Sequence, residues 1–216
     1  MTREPMALSR LRQFAGKRRA IERCELCGRE LMAEHHHLVD PAARRMVCAC
    51  GACAILFGSQ GGVKYKSVPR EIRFLADFRL TDAEWESLMI PINMAFFFES
   101  STEAKVVALY PSPAGATESQ LPLDTWRSIV ADNPVLAGMA LDVEALLVNR
   151  LGHMHGFSAD EYYLLPIDAC YKLVWLIRSH WKGLSGGAEV WEKLEEFFTD
   201  LKVRSGVREC LISASV

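Results

Sequence analysis

Residues 45–53 read RMVCACGAC, so three cysteines fall within six residues. A second pair stands upstream in RCELCG, residues 23–28, and three consecutive histidines lie between them in EHHHLVD, residues 34–40. Structural disulfides, a metal site and redox chemistry can each explain so many thiols and imidazoles in so short a segment. The spacing of the cysteines distinguishes among these explanations.

The cysteines form two pairs of the CxxC type. Cys24 and Cys27 are separated by two residues and followed by Gly28, and Cys50 and Cys53 repeat this spacing after a gap of 22 residues. A tight turn can present both sulfurs of such a pair to one ion, and glycine adopts the backbone conformation that other residues resist. The pattern therefore predicts a metal site formed by the four cysteines, with structural zinc as the preferred interpretation.

Three further side chains complicate the ligand set. Cys48 is a fifth thiol that could replace Cys50, lie beside the site, or belong to an iron–sulfur cluster. His37 or His35 could also take a ligand place, since alternate residues of a strand point to the same side. Because of the extra thiol of Cys48, an iron–sulfur cluster is the alternative to zinc.

The segment between the two pairs fits a small hairpin. Residues 34–40 and 44–47 alternate as strands around the turn Pro41-Ala42-Ala43, and the residues after Cys53 read as the first turn of a helix. This order of elements resembles a treble-clef zinc finger: a tight turn with the first cysteine pair, then a hairpin, then a cysteine pair at the start of a helix. About 35 residues cannot bury enough apolar surface to fold alone, so metal binding would supply the missing folding energy.

The composition of the chain is that of an ordinary globular protein. It has 216 residues, 50% of them hydrophobic and 24% charged. The N-terminus lacks the apolar block of a secretory signal, and no apolar stretch is long enough to span a bilayer. Seven cysteines is an odd number, which disfavours a complete set of disulfides. We therefore expect a soluble cytoplasmic protein without membrane insertion.

Charge is unevenly distributed along the chain. Residues 1–30 contain eight Arg or Lys and four Glu, and because the whole chain carries −2, the remaining residues carry −6. A basic N-terminal segment of this kind can bind nucleic acid or an acidic protein, although it is also typical of a solvated surface.

The sequence predicts four segments. They are a basic arm or helix at 1–22, a zinc-binding module at 23–57, an α+β domain at 63–205, and a flexible tail at 206–216, with the GSQGG stretch at 58–62 as the main boundary. For the α+β domain we expect a small antiparallel sheet of three or four strands packed with helices.

The α+β domain divides into predicted elements as follows. Thr81 and Glu84 form a capping box at the start of one helix, and Asp168 is the expected cap of another. The remaining predictions are a hairpin of residues 93–99 and 104–110, a loop at 111–120, a helix at 122–132, strands or a helix at 143–150, a strand at 161–167, and a last helix from 188 to 203.

No grouping typical of a catalytic centre is recognisable, so the sequence favours a non-enzymatic protein over an enzyme. His153 and His155 could form a metal pair, but chance histidines at a loop tip explain them as well. Cys170 is interpreted as a packed core cysteine.

Several motifs together resemble a known family. They are the cysteine and histidine motifs above and, downstream, IPINMAFFF, ALYPSPAGATES, LPLDTW, DVEALLVNR, LLPIDACYKLVWLIRSHWKG and EVWEKLEEFF. The chain is similar, from about Arg23 to Leu201, to a bacterial domain-of-unknown-function family whose genes are often found among those for nickel–iron uptake hydrogenases. The resemblance implies a hydrogenase context, and it maps the family's cysteines onto Cys24, Cys27, Cys48, Cys50 and Cys53, with His37 as the matching histidine.

Three functions follow as hypotheses. The first is a non-enzymatic accessory or adaptor protein in hydrogenase maturation, with hydrogenase subunits or maturation factors as partners and zinc as a structural ion. The second is a treble-clef nucleic-acid-binding protein, in which nuclease activity is disfavoured because AILFGSQGG after Cys53 offers no further histidine or asparagine for a catalytic ion. The third is an electron carrier with an iron–sulfur cluster.

Overall fold

The protein has an α+β architecture. The structure, a computed structural model, describes residues 21–58, 64–153, 159–183 and 185–206. Residues 1–20 of the predicted basic arm, all but the first residue of the predicted tail, most of the GSQGG boundary and His155 of the predicted histidine pair lie outside these described residues. Among the described helices, none combines the length and apolar character needed to cross a bilayer.

A small sheet forms the N-terminal part. Strands β1 (His36–Asp40) and β2 (Arg45–Ala49) pair as an antiparallel hairpin, as predicted, and β3 (Lys66–Ser67) adds to the other side of β1. Helix α1 (Gly51–Gly58) follows β2 directly. The predicted hairpin and the predicted helix start are confirmed.

A six-stranded antiparallel sheet, in the order β4-β9-β8-β5-β6-β7, forms the body. Its strands are β4 (Arg73–Phe74), β5 (Met94–Ser100), β6 (Lys105–Ser112), β7 (Gly115–Ser119), β8 (Glu144–Asn149) and β9 (Glu161–Pro166). The expectation of three or four strands was too low, because β4 is only two residues long and β7 falls in the predicted loop at 111–120. Half-buried and exposed residues alternate along β7, as suits a strand with one solvated face at the edge of the sheet.

Helices cover both faces of the sheet. They are α2 (Asp82–Ser87), α3 (Leu123–Asp132), α4 (Ile167–His180) and α5 (Ala188–Arg204). Phe96 packs in one core with side chains of α4 and α5, whereas its neighbour Phe97 packs in a second core with Trp126 of α3. A sheet buried on both faces explains why its central strands read as continuous apolar runs.

Local signals gave most of the helices correctly. The capping box of Thr81 and Glu84 is present at α2, and α3 and α5 occupy their predicted segments. The predicted cap of α4 was wrong, because that helix begins at Ile167 after Pro166 and has no side-chain cap. The Asp168 carboxylate instead accepts a hydrogen bond from the His37 ring.

Candidate metal centre

The first cysteine pair lies in a tight turn. The amide of Gly28 donates to the carbonyl of Cys24 at 2.8 Å, and the amide of Cys24 donates to the carbonyl of Arg29 at 2.8 Å. Gly28 has a φ of +76°, in the left-handed region that glycine tolerates best. The predicted role of the glycine after the second cysteine is confirmed, and the turn directs both sulfurs to one side.

The second pair lies at the start of α1. Cys50 precedes the helix, and its carbonyl accepts a hydrogen bond from the amide of Ala54 at 2.8 Å. Cys53 lies in the first turn of the helix. Both side chains are 8% exposed. The backbone amides of a helix N-terminus are not paired within the helix, so they are available to the sulfurs.

The four sulfurs converge on one point. Those of Cys24, Cys27, Cys50 and Cys53 all lie within 4.8 Å of one another. The sulfurs of Cys27 and Cys50 are 3.7 Å apart, whereas a disulfide would require about 2.05 Å. Four sulfurs at about 2.3 Å from a tetrahedral ion would be separated by about 3.8 Å. The cysteines are therefore arranged to bind a metal ion.

The thiols of this cluster have strongly shifted pKa values. Burial acts to raise the pKa of Cys24, but hydrogen bonds from the backbone at Cys50, Leu26 and Cys27 outweigh it and lower the pKa to about 6. A backbone hydrogen bond from Cys53 lowers the pKa of Cys50, while burial and the neighbouring thiols raise that of Cys53 to about 12. Backbone N–H groups thus stabilise negative charge at two of the sulfurs before any cation is considered.

Glu25 joins the two halves of the cluster. Its amide donates to the carbonyl of Cys48 at 2.9 Å, and its carboxylate accepts from the amide of Cys48 at 2.8 Å and from Arg45 at 3.0 Å. The turn of the first pair is therefore fastened to strand β2, beside the second pair. Sequence reasoning missed this role, although a carboxylate between two candidate ligand cysteines was a visible signal.

The three alternative ligands are grouped together, apart from the four cysteines. One ring nitrogen each of His35 and His37 and the sulfur of Cys48 all lie within 4.8 Å of one another. The Nδ1 atom of His37 lies 2.7 Å from the Asp168 carboxylate of α4. The structure thus places all seven candidate ligands of residues 24–53 in one of two clusters.

Two other features are less informative. Cys170 is fully buried, and burial raises the pKa of its thiol, which fits the interpretation as a packed core cysteine. An apolar cavity lies between the β1–β2 hairpin and the six-stranded sheet, lined among others by Val39, Phe98, Leu109 and Tyr171.

Comparison with known protein families shows to which family the chain belongs. A family of unknown function, DUF5947, matches residues 23–205. The chain belongs to this family. The match begins one residue before Cys24 and extends past the end of α5, so it includes both clusters and all nine strands of the described residues. No match was found among curated proteins, and no solved structure matches the chain.

Proposed function

We propose that this DUF5947 protein is a non-enzymatic, zinc-binding accessory protein in which one structural Zn²⁺ ion holds the N-terminal module. The observation that carries the proposal is the convergence of Cys24, Cys27, Cys50 and Cys53. Six cysteines of the described residues are free, as thiols in a reducing compartment such as the cytoplasm would be.

The size of the cluster supports zinc over an iron–sulfur centre. Sulfurs that all lie within 4.8 Å of one another leave room for one ion between them. An iron–sulfur cluster would place several iron and sulfide atoms in the same space, so its thiolate ligands would be farther apart. Tetrahedral coordination by four thiolates is typical of structural zinc sites.

The order of elements supports a treble-clef-like module. The turn of Cys24 and Cys27, the β1–β2 hairpin and α1 with Cys53 follow one another around the cluster. The module has its own small apolar core, formed by Leu38, Val47, Ala49, Ala54 and the buried cysteines. Because this core is small, zinc binding would provide a large part of the module's folding free energy.

An exposed apolar surface on α1 supports a protein partner. Ile55 is 78% exposed and Leu56 is 70% exposed, side by side on the helix that carries Cys53. Adjacent exposed apolar side chains are a feature of interaction surfaces. Following the resemblance noted in the sequence, we propose hydrogenase subunits or maturation factors as the partners, and assembly of nickel–iron hydrogenase as the context.

The charges of the module favour a protein over a nucleic acid. Arg23 pairs with Glu30, Arg45 with Glu25, and Arg44 with Glu103 and Glu118. Arginines that are already paired with carboxylates contribute less to phosphate binding than free ones.

A pull-down from native cells tests the partner. We expect hydrogenase subunits or maturation factors to co-purify with the tagged full chain and to be lost in Ile55→Asp and Leu56→Asp. Val203→Asp, at a residue of α5 that is 70% exposed, serves as the matched control and retains them. Unchanged retention in the α1 variants, or salt-sensitive retention on DNA in place of these proteins, would contradict the proposal.

A further inference from the structure

A second set of metal-binding side chains lies on one face of the β1–β2 hairpin. His37 of β1 is directly opposite Cys48 of β2 in the antiparallel register. His35 precedes His37 by two residues, and side chains two residues apart in extended backbone point to the same side. The pairing therefore gathers two imidazoles and one thiol above the same face of the small sheet.

The geometry of this group is that of a metal site. One nitrogen of each ring and the Cys48 sulfur lie within 4.8 Å of one another. The His35 side chain is only 7% exposed, and its Nε2 atom is buried without a hydrogen-bond partner among the described residues. A buried ring nitrogen without a partner is energetically costly unless something binds it.

Hydrogen bonds fix the tautomers of both rings. The Nδ1–H of His35 donates to the carbonyl of Met32 at 3.0 Å, and the Nδ1–H of His37 donates to the Asp168 carboxylate at 2.7 Å. Each ring then keeps its lone pair on Nε2. Metal-binding histidines usually donate their other nitrogen to a carbonyl or carboxylate, which orients the ring and raises its basicity.

We propose that His35, His37 and Cys48 form a second metal site, which binds a divalent transition metal ion through two imidazole nitrogens and one thiolate. Three protein ligands leave a fourth position open, as in zinc sites that exchange water or substrate. On binding, Cys48 releases its thiol proton to solvent, and the sulfur lone pair forms the bond to the metal. The four-cysteine cluster, by contrast, leaves no open position.

The open position has access to a cleft. His35 and His37 line a cleft between the hairpin and the C-terminal helices, together with Asp168, Trp175 and Phe197. Trp175 is 63% exposed at this cleft, which is unusual for a side chain of its size. Water or a small ligand can therefore reach the metal that we propose.

Cobalt binding tests the proposal. The full-length protein is dialysed against a weak chelator until its zinc content is constant and is then titrated with Co²⁺ alone. We expect one further equivalent of Co²⁺ to bind, with a thiolate-to-cobalt charge-transfer band. Cys48→Ser abolishes this band, and Asp168→Asn weakens Co²⁺ binding by about 10- to 100-fold without changing the circular dichroism of the zinc-loaded protein.

His36→Ala is the matched control. His36 lies between the two histidines that we propose as ligands, His35 and His37, but its side chain points to the opposite face of the strand. We therefore expect Co²⁺ binding to remain unchanged in this variant. No additional Co²⁺, or a band that persists in Cys48→Ser, would overturn the proposal. Asp168 lies on α4, outside the hairpin, so Asp168→Asn tests the proposal even where Cys48→Ser fails to fold. Unchanged Co²⁺ affinity in Asp168→Asn would contradict it. Absence of zinc with an intact Cys48-dependent band would overturn only the proposed structural zinc.

Discussion

Gly28 shows how one residue shapes the candidate metal centre. It turns the chain after Cys27 with a φ of +76°, and a Cβ atom there would contact nothing within 4 Å. The cost of a side chain at this position is therefore conformational and not steric. The free space around the residue makes its substitution a clean test of backbone strain.

We expect Gly28→Ala to lower the free energy of unfolding of the zinc-loaded protein by about 1 kcal/mol. Thermal denaturation and competition with a chelator measure stability and zinc affinity, respectively, and both decrease. Gly138→Ala is the control, because Gly138 has equally open surroundings but no positive φ. Equal behaviour of the two variants would contradict the role assigned to Gly28.

At the scale of residues, sequence reasoning found the side chains but not all of their partners. The CxxC spacing identified the four cysteines because turn geometry is local. The hydrogen bond between His37 and Asp168 joins positions 131 residues apart, so no local pattern could reveal it. A polar residue near a helix start was naturally interpreted as a cap, and Asp168 instead contacts another element.

At the scale of elements, hairpins and capped helices were predictable. The β5–β6 hairpin and the capping box of α2 are confirmed because each depends on neighbours in sequence. The segment at 143–150 was ambiguous between strand and helix, since a strand buried on both faces shows no alternation. Strand β7 was missed because its polar residues and Gly115 resemble a loop. The pairing of β4 with β9 is non-local and had no sequence signal.

Under the proposed function, the N-terminal module is the element that depends most on a metal ion. In the Cys27→Ser variant, we expect loss of zinc and fast amide exchange throughout residues 23–57, because the small apolar core cannot order the segment alone. The six-stranded sheet has two larger cores, to which the module contributes only Val39 among the described residues, and we expect it to retain slow exchange. Hydrogen–deuterium exchange with mass spectrometry measures both regions in one experiment.

Cys48→Ser is the control for this prediction. Cys48 lies beside the four-cysteine cluster but outside it, so the variant keeps its zinc and slow exchange in the module. Uniform loss of protection across the six-stranded sheet in Cys27→Ser would refute the independent module. Loss of structural zinc in Cys48→Ser would refute the assignment of ligands.

At the scale of the whole molecule, ion pairs connect the small N-terminal sheet to the body. Arg44 of the β1–β2 turn pairs with Glu103 in the β5–β6 turn, and Lys66 of β3 pairs with Asp142 at 2.6 Å. Asp142 is 5% exposed and also accepts hydrogen bonds from the amide and hydroxyl of Ser101. Side chains from three separate segments therefore meet at this carboxylate.

This junction makes stability depend on pH. Burial acts to raise the pKa of Asp142, but the bonds from Lys66 and Ser101 outweigh it, so the folded-state pKa lies below the ordinary value of 3.8. The resulting stabilisation is present above the ordinary carboxyl pKa and is lost as the pH falls through the folded-state pKa. We expect Asp142→Asn to lower the free energy of unfolding by about 1–3 kcal/mol at pH 6 and by much less in strong acid.

Denaturant titrations between pH 6 and strong acid measure this difference. Asp124→Asn is the matched control, since Asp124 is 97% exposed in its pair with Arg127, and its effect stays within about 0.5 kcal/mol. A difference between wild type and Asp142→Asn that grows on acidification would contradict the assignment.

The fold class could be predicted from the sequence, but the size of the sheet could not. Helical periodicity and hairpin signals indicated α+β, and the body indeed has helices on both faces of an antiparallel sheet. The number of strands depends on pairings between distant segments, which composition does not encode. Assignment to DUF5947 agrees with the resemblance to a domain of unknown function, and the hydrogenase context stays a proposal.

Zinc K-edge X-ray absorption of the purified protein, dialysed to one zinc per chain, tests the central claim most directly. If zinc is bound by Cys24, Cys27, Cys50 and Cys53, the ion has four sulfur neighbours at about 2.3 Å and no nitrogen or oxygen neighbour. A shell containing imidazole or carboxylate ligands, or a protein that retains no zinc, would contradict it.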